Sequence, residues 1–303
     1  MGLTHSGTLI ARPRQDVLFF FRAAGLYHRM VERLEMRYIY AVQIMDDPQD
    51  QEFHMDASRH TINIKPARIA IILVILSLIL VALSLAGQWF RFFTDSYSIS
   101  GPTQEFFLDL FIDKFSVNTE NNVPTYFNTA MLAIAAFLTF VIASAKYAQK
   151  DKYRYEWFLL GLVFLYISID EAAVIHEQFS ALFKDAPSMG GWLHYKWVIP
   201  GMAALLILGL AFLRFFLHLD KRFKIFFLIS AAVYLGGALG GELFSGHYAD
   251  SFGTRNFTYS VMTTVEESLE WLGITLMIFT LLKYIETHIS EVGFQIKAAY
   301  EKK

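Results

Sequence analysis

The chain contains no cysteine. That absence removes structural disulfides, thiolate zinc sites, iron–sulfur clusters and cysteine nucleophiles together. Charge is scarce as well: 18% of the residues are Asp, Glu, Lys or Arg, against about 25% in an ordinary soluble domain. The two signs nearly cancel, 26 basic against 28 acidic, so no global positive field points to nucleic acid. There is no P-loop, no Gly-x-Gly-x-x-Gly after a strand and no Gly-x-Ser-x-Gly, which leaves nucleotide binding and nucleophile-elbow hydrolysis without a motif. What fills the 303 residues is apolar: 55% hydrophobic, with 29 Phe, 15 Tyr and a mean hydropathy of +0.38. Disordered and collagen-like chains have the opposite composition.

A membrane helix needs about 20 mostly apolar residues. Six stretches qualify, at 69–90, 126–145, 157–178, 197–217, 225–244 and 261–282. Lysine and arginine alternate around them. Nine precede the first span, and the next six intervening or terminal segments hold two, four, two, four, one and four. That places 21 on one side and 5 on the other, and the positive-inside rule puts both termini in the cytoplasm. The expected fold is therefore all-α: a polytopic membrane bundle of six transmembrane helices, multi-pass in a plasma or inner membrane. The expected parts are a cytoplasmic arm over 1–67, the bundle over 68–285 with an outer loop at 91–124, and a cytoplasmic helical tail over 286–303.

No cleavable leader pattern precedes the first span, while Met1 to Ser6 fits the loose N-myristoylation pattern. In the arm, Arg22, Arg29, Arg33 and Arg37 share one face of a helix expected over 15–45. Such a basic amphipathic helix lies on an anionic leaflet, and an acidic linker over 46–52 follows it. In the outer loop, 104–115 reads as a short amphipathic helix with Phe106, Leu110 and Phe111 against Glu105, Asp109 and Asp113. The polar run Asn118 to Pro124 reads as the capped start of span two, with Glu120 over a site below as the alternative.

Spans three, five and six carry acids inside an apolar pattern. By the charge alternation their polar ends share one outer depth. Those ends bring Asp170, Glu171, His176 and Glu177, then Glu242 and His247, then Glu266, Glu267 and Glu270. On a straight helix Asp170 lies roughly 12 Å below Gln178. An ionised carboxylate at such depth costs on the order of 2–3 kcal/mol, so these groups face the bundle interior. Carboxylates and imidazoles without Cys suit a divalent metal, Zn, Mn or Fe. No haem is expected, since His218 and His288 lie at the opposite end.

The obstacle is spacing. Glu171 and His176 are five residues apart, roughly 140° round a helix, and converge only where the helix ends or bulges. Glu242 and His247 echo that spacing. Span five also holds two overlapping small-residue pairs, Gly236/Gly240 and Gly237/Gly241, read as close helix contacts, so Gly240→Leu is expected to disrupt the bundle more than Leu239→Ala.

Three readings compete. The working one is a metal site, outward-facing, supporting hydrolytic or oxidative chemistry on an amphiphile. The second is a cation or proton transporter or channel. The third is a non-catalytic subunit of a homo-oligomer or larger membrane complex. A transporter needs polar groups through the inner half, where span six offers only Thr275 and Thr280.

Overall fold

The computed structural model describes residues 65–93, 101–183 and 190–289. The basic helix over 15–45, the acylation pattern, the acidic linker and the tail beyond residue 289 lie outside the described residues.

Among the described residues the chain is helical and has no strand. The long helices are α1 (Pro66–Phe93), α3 (Val123–Ala148), α4 (Arg154–Ala173), α6 (Val198–His218), α7 (Lys221–Leu235) and α9 (Phe257–His288). Shorter ones are α2 (Pro102–Phe115), α5 (Ile175–Gln178) and α8 (Glu242–Phe252). Five helical rods are long and apolar enough to cross a membrane, and there are six when the bent pair α4–α5 is one span. Each expected span coincides with one of these rods, the fourth starting one residue before Val198. The rod at 221–252 is longer than expected because α7, a π-helical segment (Gly236–Gly241) and α8 run together.

The outermost faces are apolar. On α6, Leu206, Ile207 and Leu210 are each about two-thirds exposed. Such a surface suits hydrocarbon rather than water. Helix α9 is the hub, packed against α1, α3, α7, the π-segment and α8. Its Trp271, Ile278 and Leu281 are fully buried with Met131, Leu132 and Ile142 of α3.

Two caps set the geometry at the polar end. Asn122 accepts a hydrogen bond from Thr125 N–H at 3.0 Å and starts α3. Asn256 accepts from Tyr259 N–H at 2.9 Å and starts α9. Both satisfy amides that the first turn leaves without helical partners. Helix α2 is held beside α1 by Arg91–Asp113, 2.6 Å, and by the Gln88 side-chain amide donating to Ser116 Oγ, 2.8 Å. It leaves Phe106 and Phe107 exposed and buries Ile112.

The glycine-rich segment of span five departs from expectation. Gly237 and Gly241 form the close contact: a Cβ on Gly237 would lie 2.7 Å from the Glu266 carbonyl oxygen, and one on Gly241 would lie 2.5 Å from Glu266 Cγ. Gly236 and Gly240 face open space. One pair packs because it shares the face turned to α9; its neighbours, one residue back, are rotated about 100° away.

Candidate functional site: an acidic chamber at the polar end

Span three does not run straight. Val174 has φ 52° and ψ 42°, a left-handed conformation that a β-branched residue rarely adopts. The axis bends by 74° there, with the second arm running to residue 181. This break resolves the five-residue spacing. Glu171 belongs to α4 and His176 to α5, so both turn inward although a continuous helix would part them. It also shortens the depth of Asp170, which lies four residues from the bend rather than eight from the end of a straight rod.

Asp170 spans the break. One carboxylate oxygen accepts the His176 backbone N–H at 2.7 Å, and the other meets His176 Nδ1 at 2.9 Å. Trp197, at the start of α6, covers the imidazole with ring centroids 4.6 Å apart.

The remaining acids converge from two other elements. Glu242 follows the π-segment directly; Glu266 and Glu267 share one turn of α9, and Glu270 lies on the next. Glu266 and Glu270 are buried, while Glu171, Glu242 and Glu267 are partly buried. Their carboxyl groups lie within electrostatic reach of one another, and the imidazole of His176 is within reach of Glu171 and Glu242. Neutral donors stand around them. Ser245 Oγ donates to Glu266 at 3.1 Å, and the Asn128 side-chain amide donates to Glu270 at 3.4 Å. π-Segments of one turn recur where a helix must re-aim a functional side chain, and here one precedes Glu242.

Three residues of the sequence-derived set sit at the edge of this inner group. His247 is exposed and stacked on Trp192, with planes 6° apart and centroids 4.7 Å apart. Helix α8 is unbroken from Glu242 to His247, so five residues carry the histidine round to the outer face. The Glu-x4-His echo therefore has two different outcomes, one bent inward and one straight. Glu177 is exposed at the rim. Asp170 is bonded to His176 and lies within electrostatic reach of Glu171.

Residues that the pattern of apolar spans did not single out complete the chamber. Asn128 is fully buried on α3. Tyr195 and Tyr259 meet hydroxyl to hydroxyl at 2.5 Å, near Glu242 and Glu266. Glu120, read above as part of a cap, reaches the same group, near Glu171, Glu242, Glu267 and His176. The residue is exposed, but partial desolvation of its carboxyl pushes it above the ordinary value, countered by the Thr125 hydroxyl that donates to it at 3.1 Å. Asn122 caps the helix as expected, so the loop does both jobs.

No Lys or Arg among the described residues forms an ion pair with any of these carboxylates. Two acceptors are left without a hydrogen-bond partner: Asn128 Oδ1 and Glu242 Oε2 are both buried. Among the described residues no group of three or more His, Asp or Glu is placed to hold a metal ion. Farther along α3 and α9, Met131, Trp271 and Ile274 are buried in the hydrophobic core, with Trp271 edge-on to Phe127 at 5.4 Å.

Residues 67–284 match a domain of unknown function (DUF8692), and the chain belongs to that family. No curated protein matches the chain, and no solved structure does.

Proposed function

We propose that this chain is a multi-pass protein of a plasma or inner membrane, both termini cytoplasmic, whose outward-facing chamber binds a divalent cation. One observation carries the reading: negative charge is gathered without counter-charge. Glu171, Glu242, Glu266, Glu267 and Glu270 crowd together, no Lys or Arg pairs with them among the described residues, and Asn128 Oδ1 and Glu242 Oε2 are buried without a partner. Oxygen donors with a single imidazole suit Mn, Fe or Zn. Such an ion, held by these carboxylates and His176, would polarise an oxygen or activate water for hydrolysis of an amphiphile reaching it from the bilayer, and Mn or Fe would add oxidative chemistry.

A second reading has its own support. Because no three ligating side chains converge among the described residues, protons shared between paired carboxyls are the rival way to relieve repulsion. A proton or cation transporter would use the chamber in that way. The apolar floor of Trp271, Ile274, Ile278 and Leu281 argues for a one-sided site over a through-path.

The test is elemental analysis of the purified wild type beside His176→Ala and Glu242→Gln. A near-stoichiometric metal that is lost in both variants supports the cation site. No metal in the wild type, with variants of unchanged stability, overturns it in favour of shared protons.

A further inference from the structure

The geometry points to Asp170 as a positioning residue for the chamber rather than one of its ligands: it holds His176 as the Nδ1–H tautomer and leaves the Nε2 lone pair for the occupant. The inference rests on the cation-binding reading.

At Val174, with φ 52°, helix α4 stops, and the first amides of α5 have no carbonyl one turn earlier to bond. Asp170 supplies that acceptor for His176 N–H at 2.7 Å. Its other oxygen then lies 2.9 Å from Nδ1 of the same residue. One carboxylate thus grips a single histidine by main chain and ring together. Rotation of the imidazole would break the second bond, and the Trp197 ring, 4.6 Å away, restricts it further.

The tautomer follows from donor and acceptor counting. An ionised carboxylate only accepts, so the proton between the two groups belongs to Nδ1. A neutral imidazole carries one N–H, so Nε2 is left with a lone pair. No hydrogen bond to Nε2 occurs among the described residues. Glu242 and Glu171 lie within electrostatic reach of the ring, and Glu242 Oε2 is the buried oxygen without a partner. A lone pair on Nε2 and an unpartnered oxygen of Glu242, within electrostatic reach of one another, are the two donor types that a cation bound here would use. A carboxylate behind the distal nitrogen of a metal-binding histidine is the common means of fixing ring and tautomer. Asp170 has both oxygens committed to His176, which removes it from the ligand set that residue types alone suggested. The buried, unpartnered Asn128 Oδ1 and Glu242 Oε2 point independently to an occupant.

The experiment uses the full chain in lipid nanodiscs with ¹⁵N-labelled histidine, at a pH about two units above the ordinary histidine value. His176 is identified among the nine histidines by comparison with His176→Gln. The wild type should give a protonated Nδ1 and an unprotonated Nε2. Asp170→Asn should shift His176 toward the Nε2–H form common in water, and Asp170→Glu should restore part of the wild-type pattern. Added Zn²⁺ or Mn²⁺ should perturb Nε2 and not Nδ1, with affinity weakened about 10–100-fold in Asp170→Asn. An Nε2–H or doubly protonated His176 in the wild type overturns the inference, as does an Asp170→Asn variant with an unchanged tautomer. A tautomer that follows Asp170 as stated, in a protein blind to both metals, upholds the orienting role and overturns the cation reading instead. The two failures are thereby distinct.

Discussion

Gly241 and Glu266 are in contact across two helices: a Cβ on Gly241 would stand 2.5 Å from Glu266 Cγ. The absence of a side chain on the π-segment is what admits the glutamate between α8 and α9. Ser245, one turn later, then reaches the same carboxylate at 3.1 Å. Packing and site are therefore one feature, because the close approach that joins the helices also aligns their acids.

Gly241→Leu should accordingly lower the thermal stability in detergent by several degrees, since overpacking a filled contact costs about 1–3 kcal/mol. Gly240→Leu places the same bulk in open space and should change stability by less than about 0.5 kcal/mol. Equal losses would show that the segment does not pack through its 237/241 face.

The spans were legible because hydrocarbon imposes a length and a composition on any helix that crosses it. The inward acids were legible for the same reason, as their burial in lipid is too costly to be incidental. Asn128 was not, because one amide in an apolar helix carries no pattern until its neighbours are known. The Gly240 expectation failed on phase: overlapping small-residue pairs give two faces, and the sequence does not say which meets α9. The bend at Val174 had no local signal either, since valine is among the last residues expected at positive φ. Only the awkward spacing from Glu171 to His176 hinted at it.

That bend gives the second prediction. A left-handed conformation costs a non-glycine residue about 1–2 kcal/mol, while glycine loses about 0.5–1 kcal/mol in unfolded-chain entropy. Val174→Gly should therefore be neutral or stabilise slightly, and should retain metal or proton binding in the chamber. Val174→Pro cannot reach φ 52° and should lose both stability and binding. Thermal unfolding of the two variants in one detergent decides it. A strongly destabilised Val174→Gly would mean that side-chain packing, not backbone strain, dominates at the bend.

The absence of native cysteine makes the orientation testable without a background. Ser251 and Lys152 are both exposed, near the α8–α9 turn and the α3–α4 turn respectively. Ser251→Cys should react with a membrane-impermeant maleimide on intact cells. Lys152→Cys should react only after permeabilisation. The reverse pattern would turn the chamber toward the cytoplasm and refute the charge argument.

Glu120 supplies the last prediction, on pH. Glu120 is exposed as a residue, yet the protein around its carboxyl removes enough water to hold the folded-state pKa above the ordinary carboxyl value. Between those two values the folded protein keeps a proton that the unfolded chain has released, so stability falls as pH rises through that window and then levels off. The contribution is thus unfavourable at neutral pH and vanishes below about pH 4. With divalent cations stripped by a chelator, Glu120→Gln should be the more stable protein at neutral pH and match the wild type in acid. Glutamine keeps an acceptor for the Thr125 hydroxyl, so the comparison isolates charge. With a bound cation the sign should invert, because the carboxylate then faces a positive partner and its loss weakens the site. Unfolding midpoints across pH, with and without chelator, measure both. A variant less stable than the wild type at neutral pH even in chelator would mean that some positive group already compensates Glu120.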